Sequence, residues 1–170
     1  MDKVKVNIDD QQNEVKIPTG TRLLLRRCCN AVLEMEGFTD RAEVNIYFVD
    51  SETIRSRNAQ FRGKDAVTDV LSFPLGENRE FDVNPETGAR MLGDVLICVS
   101  KAAEQAATFG HSFRREMAYL TTHSMLHIFG YDHEAGGLES VRMREKEETI
   151  MVQLGLPRNG SYVPDTDSEV

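Results

Sequence analysis

The sequence lacks the long apolar run that a membrane-spanning helix requires. None of its 170 residues falls in a stretch approaching the roughly 18 consecutive apolar residues that cross a bilayer. Its first residues, MDKVKV, also lack the apolar segment of a secretory signal. We therefore expect a cytoplasmic protein with no membrane partner.

Cysteine is scarce as well, with three residues in the whole chain. Cys28 and Cys29 are adjacent and Cys98 stands alone, so their spacing does not suggest a disulfide framework. The first two lie in a helical pattern and the third lies in a strand-like one. We predict that all three are small buried hydrophobic residues rather than redox or metal-binding groups.

An excess of basic residues is also absent, because the formal net charge is −8. This charge excludes a uniformly basic surface that would bind nucleic acid indiscriminately. One segment differs: residues 55–64, RSRNAQFRGK, carry four basic side chains and no acidic one. Alone, such a segment is most simply a solvated face. Next to a metal site, it would instead favour an anionic substrate.

Repeats and low-complexity segments are missing too, and a hydrophobic content of 40% is sufficient for one core. Strand patterns come early and are mixed with helices, whereas helices dominate later, which predicts an α+β fold. We expect a single domain over residues 1–156, with a mixed β-sheet of about four strands packed against helices. A flexible C-terminal tail over 157–170 would follow it. The predicted strands cover 3–8, 43–49, 67–73 and 91–99, with a further short strand at 14–17.

Caps and turn residues set the limits of the predicted helices. Thr19 or Thr21 is expected to cap the first helix, which ends at Gly37, and Ser100 is expected to cap the third. Residues 76–89 contain Asn-Pro and Thr-Gly pairs and are predicted to be a loop or a wide hairpin turn. The helices are predicted over about 20–36, 51–61, 100–110, 112–129 and 138–154.

Three of the four histidines fall within eleven residues, HSMLHIFGYDH. His123 and His127 are four residues apart, so they lie on the same face of a helix. Gly130 is placed to end that helix in a left-handed cap, and the next turn can bring His133 back toward the pair. Three neutral imidazoles with one open position are typical of a catalytic zinc site. Imidazole also suits nickel, copper or iron, so zinc is the default among several metals.

The spacing is similar to that of zinc peptidases, but one residue differs. Those enzymes place a glutamate general base directly after the first histidine, where this chain has Ser124. A phosphodiester substrate fits better, because a metal activates water and an arginine can neutralise the developing charge. A metallopeptidase that uses Glu116 or Glu134 as its base remains an alternative. A non-catalytic ribosome assembly factor with a structural zinc is another.

Two acidic residues are candidates for orienting a ligand or carrying a proton. Glu116 lies seven residues before His123, about 20° from it around a helix of ~3.6 residues per turn. It either faces the site or is a solvent-facing residue of the first turn. Asp132 either orients an imidazole or makes the turn. His111 would lie about 120° from His123 and is not expected to be a ligand.

The histidine segment resembles the metal signature of the YbeY-type endoribonucleases. Other segments resemble motifs of the same family in the same order, and the resemblance covers about residues 40–155. Ser124 departs from it, since the family usually has glycine there. The matching upstream segments are NAQFR at 58–62, TDVLSFP at 68–74, Gly93-Asp94 and Arg115-Glu116.

The resemblance implies an α+β fold and one zinc-type ion held by His123, His127 and His133. It implies Arg62 as the functional arginine and single-strand-specific cleavage of RNA. It also implies a role in 3′-end maturation of the small-subunit (16S) ribosomal RNA and in ribosome quality control. The partners would be ribosomal RNA and the ribosome or its associated proteins. Further RNA contacts are then expected from Arg55, Arg57 and Lys64.

Overall fold

A computed structural model describes residues 4–132, 134 and 136–157 of the chain. Within these ranges the chain forms six strands and five helices. None of these helices combines the length and the apolarity needed to cross a membrane. In chain order the elements are β1 (Val4–Asp10), α1 (Thr21–Met35), β2 (Ala42–Val49), α2 (Ser51–Arg62), β3 (Val70–Pro74), β4 (Gly76–Glu77), β5 (Glu80–Phe81), β6 (Arg90–Cys98), α3 (Val99–Phe109), α4 (Phe113–Ile128) and α5 (Gly137–Gln153).

The main sheet has the strand order β1-β2-β6-β3. Strands β1, β2 and β6 run parallel, and β3 pairs antiparallel with β6 at one edge. The sheet is therefore mixed and four-stranded, which confirms the predicted α+β fold. A separate two-stranded hairpin, β4 and β5, occupies part of the segment predicted to be a loop or wide turn.

Both faces of the sheet are covered, as the alternation along β6 shows. Val95 and Ile97 join the large core formed with α1 and α4, whereas Leu96 and Cys98 join a smaller cluster with Ile54 of α2. Because successive strand residues point to opposite faces, α2 lies across the sheet from α1 and α4. All three cysteines are fully buried, which agrees with the predicted packing role.

The predicted strand at 14–17 is wrong. The side chain of Gln12 bonds the backbone of this segment, accepting from the Val15 N–H (2.9 Å) and donating to its carbonyl (2.8 Å). These groups are therefore satisfied locally and do not pair with another strand.

Several predicted limits also differ from the observed ones. Neither threonine caps α1, because its N-cap is Gly20 and the Thr21 hydroxyl donates to the Pro18 carbonyl. Helix α3 begins one residue before Ser100, and β3 begins at Val70 rather than at residue 67. The proposed tail lies almost wholly at 158–170, outside the described residues, so the domain boundary stays a prediction.

Candidate functional site

Helix α4 carries the first two histidines, and its start fixes their rotational position. The Ser112 hydroxyl accepts a hydrogen bond from the Arg115 N–H at 3.0 Å, which caps the helix. Tyr119 follows Glu116 by three residues and precedes His123 by four, so the three side chains lie along one face of α4. The spacing argument from the sequence thus placed Glu116 and His123 on the same side of the helix correctly.

This face of α4 lines a cavity of about 660 Å³ together with α3 and α5. Its wall holds nine titratable side chains. His111 also lines it, although the helical count had set that residue apart from His123. The titratable lining residues are Asp69, His111, Arg115, Glu116, Tyr119, His123, Arg144, Glu147 and Glu148.

His123 is oriented by a buried carboxylate from α5. Its Nδ1 lies 2.5 Å from Oε2 of Glu147, whose residue is only 4% exposed. An ionised carboxylate can only accept, so Nδ1–H donates to it, and in a neutral imidazole Nε2 then carries no proton. The ring of Tyr119 stacks on the imidazole, with centroids 5.9 Å apart. Such a carboxylate–histidine pair is the arrangement that typically orients a metal ligand.

His127 is oriented by the turn that ends α4. Gly130 has φ +105° and its N–H donates to the His127 carbonyl (2.9 Å), while the Tyr131 N–H donates to the Leu126 carbonyl (3.1 Å). These two bonds form a Schellman motif, as the glycine position predicted. The turn brings the Tyr131 carbonyl to 2.9 Å from Nδ1 of His127. Because a carbonyl only accepts, Nδ1–H donates to it, and in a neutral imidazole Nε2 again carries no proton.

Tyr131 is in turn fixed by Glu36 at the end of α1. The Glu36 carboxylate accepts hydrogen bonds from the Tyr131 hydroxyl (2.8 Å) and Lys146 (2.9 Å), and it also pairs with Arg79. Burial alone would raise the pKa of Glu36, but the bonds from Lys146, Tyr131 and Arg79 outweigh it and lower the pKa. Through Glu36, the turn after α4 is therefore linked to the end of α1, to Lys146 of α5 and to Arg79 between β4 and β5.

Glu116 is buried and not the solvent-facing residue of the alternative interpretation. It is 6% exposed, and its Oε2 accepts from Nε2 of Gln105 at 2.9 Å. Gln105 also donates to Asp69 at 3.2 Å. Burial raises the pKa of Glu116, with the nearby Asp69 adding to the increase while Gln105 and Arg115 oppose it. A carboxyl group with a raised pKa is suited to carrying a proton.

Arg62 is the last residue of α2 and reaches the turn beyond α4. Its guanidinium lies 3.8 Å from the carboxylate of Glu134, and both side chains are substantially exposed. The Asp132 carboxylate accepts from the Glu134 N–H at 2.9 Å, which supports the turn-making alternative for Asp132. The structure thus places Arg62 at Glu134, one residue after the histidine segment at 123–133.

The other three basic residues of the segment at 55–64 lie in different environments. Arg55 forms a two-pronged pair with Asp65, an acidic residue just beyond the segment that looked free of acids. Lys64 is exposed after the end of α2. Arg57 lines a second cavity, of about 380 Å³, between α2 and the sheet.

His133 lies outside the described residues, so the structure does not place the third predicted ligand. Within the described ranges, no group of three His, Cys, Asp or Glu side chains is arranged to hold a metal ion. The described part of the chain contributes two oriented imidazoles, His123 and His127, to the predicted metal site.

Glu147 is the main residue that sequence reasoning missed, since the charges of α5 were taken to be solvated. A signal was present. Met143, Glu147, Ile150 and Met151 recur at helical spacing, and all four are buried. A glutamate on the apolar face of a helix indicates a buried partner.

Comparison with known proteins gives a consistent result. The family model described as endoribonuclease YbeY matches residues 7–155. The chain belongs to the endoribonuclease YbeY family.

Curated members of the endoribonuclease YbeY family match over nearly their full length. A relative from Caldanaerobacter subterraneus subsp. tengcongensis is 48% identical over 160 residues, which cover 91% of this chain and 100% of the relative. One from Geobacillus kaustophilus is 45% identical over 161 residues, covering 91% and 99%. A solution structure of a Thermotoga maritima protein superposes with a TM-score of 0.58 at 27% identity, covering 88% of this chain and 89% of that one.

Proposed function

We propose that this chain is a metal-dependent endoribonuclease that cleaves single-stranded RNA during 3′-end maturation of 16S ribosomal RNA and in ribosome quality control. Endoribonuclease activity is the one for which its family is named. The observation that carries the metal dependence is the shared orientation of His123 and His127. Each ring places Nδ1 against a protein acceptor oxygen, so a metal ion would be bound through Nε2.

The donor set fits a zinc ion, with nickel or another divalent transition metal as an alternative. His123 and His127 supply two ligands from successive turns of α4, and His133 would supply the third. A bound ion would lower the pKa of a water molecule and polarise a phosphoryl oxygen. The cysteines are buried elsewhere and do not compete for the metal.

Arg62 binds the scissile phosphate in this proposal. A guanidinium is always charged and presents paired N–H donors that match two phosphate oxygens. Its partner Glu134 is 62% exposed, so the ion pair is weak and RNA can displace it. The charge that develops on the phosphate is then neutralised by Arg62.

Glu116 is the residue that carries a proton in this proposal. It lines the same cavity as His123, and burial raises its pKa, which suits a carboxyl group that carries a proton. The side-chain amide of Gln105, which also donates to Asp69, holds Glu116 in place.

Ser124 is fully buried in the helix packing, so a peptidase would need Glu116 or Glu134 as its base. Steady cleavage of a peptide library that a chelator abolishes would favour the peptidase alternative. The structural-zinc alternative requires a fourth protein ligand, which would have to be a cysteine, aspartate or glutamate.

The cleavage assay uses purified metal-loaded protein with one RNA sequence as a single strand and as a duplex. We expect cleavage of the single strand, loss of cleavage with a chelator and recovery when zinc is added. Products ending in a 2′,3′-cyclic phosphate would identify attack by the 2′-hydroxyl, whereas other ends would identify attack by water. Intact single-stranded RNA, under conditions in which a control ribonuclease cuts it, would contradict the proposal.

The cellular part of the proposal has its own test. We propose that the protein acts in the cytoplasm with the ribosome or ribosome-associated proteins. With a net charge of −8, binding to naked RNA should be weak and salt-sensitive. Cells without the protein should accumulate 16S precursors with unprocessed 3′ ends. Normal 3′ ends in such cells would contradict this role.

A further inference from the structure

The second cavity lies on the opposite side of the sheet from α4, between α2 and the exposed part of that face. Thr53, Arg57 and Phe61 line it from α2 at intervals of four residues, a run of about 12 Å at 1.5 Å per residue. Tyr47 of β2 and Phe73 of β3 line it from the sheet. The fold therefore builds a groove with aromatic walls and a basic residue at its centre.

Phe61 is the most unusual of these residues. It is 53% exposed although it is a large apolar side chain, and its ring packs edge-to-face on Phe73 with centroids 5.2 Å apart. This contact holds a ring that both lines the groove and is more than half exposed. An exposed, held aromatic ring is the feature on which unpaired bases stack in proteins that bind single-stranded nucleic acid.

The groove lining carries one basic side chain, Arg57, and one acidic side chain, Asp94, so Arg57 can meet a phosphate while the polar groups meet a base. Among the described residues Arg57 has no ion-pair partner within 4 Å, whereas the neighbouring Arg55 is held by Asp65. Gln11, Thr53 and Asp94 add hydrogen-bonding groups that can meet base edges. The cavity of about 380 Å³ also falls within the roughly 300–1,000 Å³ of small-ligand sites.

Chain continuity links the groove to the proposed site. Phe61 directly precedes Arg62, whose guanidinium reaches the turn after α4. We propose that the groove between α2 and the sheet is a subsite for one unpaired nucleobase of the RNA whose phosphate lies at Arg62. A base within a duplex is already stacked and cannot enter, so this subsite would select single strands. The inference rests on the proposed function.

The test asks whether a change at Phe61 weakens binding of RNA that carries bases and not of RNA that lacks them. Binding of a short fluorescein-labelled single-stranded 2′-O-methyl RNA is compared with binding of the matched abasic oligonucleotide. We expect Phe61→Leu to weaken binding of the base-containing strand about fivefold or more, and to leave binding of the abasic strand unchanged. Phe61→Tyr keeps the ring and should bind like the wild type. Leu23→Ala, a change at a similarly exposed apolar residue on α1, is the control.

Arg57→Gln gives a second, independent measurement. It should weaken binding of both strands and reduce the slope of affinity against salt by about one. Equal affinity of Phe61→Leu and the wild type would overturn the inference and make the groove a candidate contact for a protein. Equal losses with both strands, or no binding by the wild type, would also overturn it. If Phe61→Leu weakens binding of the base-containing strand alone, but the wild type cleaves no RNA, the subsite is supported and the nuclease proposal is refuted.

Discussion

Nδ1 of His123 lies 2.5 Å from Oε2 of Glu147, joining the middle of α4 to the buried side of α5. The two residues are 24 positions apart, and the contact fixes both the direction of the imidazole and its tautomer. A buried carboxylate also needs a partner that can donate to it, which His123 provides. The orientation of the first histidine is therefore a property of the tertiary fold and not of α4 alone.

Replacing Glu147 should weaken metal binding without abolishing it. We expect Glu147→Leu to reduce zinc affinity about 10- to 100-fold, because the imidazole loses the group that orients it. Glu147→Gln keeps an acceptor oxygen and should lose less. Competition with a chelating dye measures the affinity directly.

The control for this prediction is Glu145→Gln, which removes a charge from the exposed face of the same helix. It should leave zinc affinity unchanged. Equal zinc affinity in the wild type and Glu147→Leu would show that the carboxylate does not support the ligand.

Gly130→Ala should strain the turn that holds His127. Gly130 has φ +105° and no atom near the position of an added Cβ, so the cost is backbone strain, about 1–2 kcal/mol. We expect lower thermal stability and weaker zinc binding together, because the Tyr131 carbonyl moves with the turn. Calorimetry and chelator competition measure the two effects.

Gly155 offers a matched control, since it ends α5 with the same pair of hydrogen bonds at φ +77°. Gly155→Ala should cost similar stability but leave zinc affinity unchanged. If both variants lost zinc affinity equally, the special role of the turn after α4 would be refuted.

Glu36→Gln should lower the free energy of unfolding by about 1–2 kcal/mol at neutral pH, since the pairs with Lys146 and Arg79 are partly exposed. The pKa of Glu36 is lowered in the folded state. Its contribution is therefore full above the unfolded value of about 4.3 and is lost as the pH falls through the lower folded value. Urea unfolding of both proteins across the acid range should show the difference shrinking. A difference that is constant with pH would contradict the assignment.

Arg62→Ala should reduce the rate of RNA cleavage about 100- to 1,000-fold, as expected for one donor to a developing negative charge. Arg62→Lys should recover only part of the rate, because an ammonium cannot form the two-pronged contact. Zinc content should be unchanged in both variants, which elemental analysis can verify. Loss of zinc in Arg62→Ala would instead indicate a structural role in the turn.

The local features of this site were predictable from the sequence. Helical periodicity places His123 and His127 on one face, and Gly130 ends the helix in the left-handed conformation that the sequence predicted. The α+β class and the four-stranded sheet also followed from local patterns, because alternation and turn residues are read over short windows.

Contacts between distant segments were not predictable in this way. Glu36 meets Tyr131 across 95 positions, and neither residue is distinguished by its neighbours. The false strand at 14–17 has a local origin instead, because the side chain of Gln12 bonds the Val15 backbone that a partner strand would have used. Asp65 was missed because it lies one residue after the basic segment at 55–64, whose charge it partly neutralises.

Elemental analysis of purified protein, wild type beside His127→Ala, tests the central claim most directly. We predict about one equivalent of zinc or a similar divalent metal in the wild type and a large loss in the variant, with the fold retained by circular dichroism. Equal metal content in the two proteins would contradict the account.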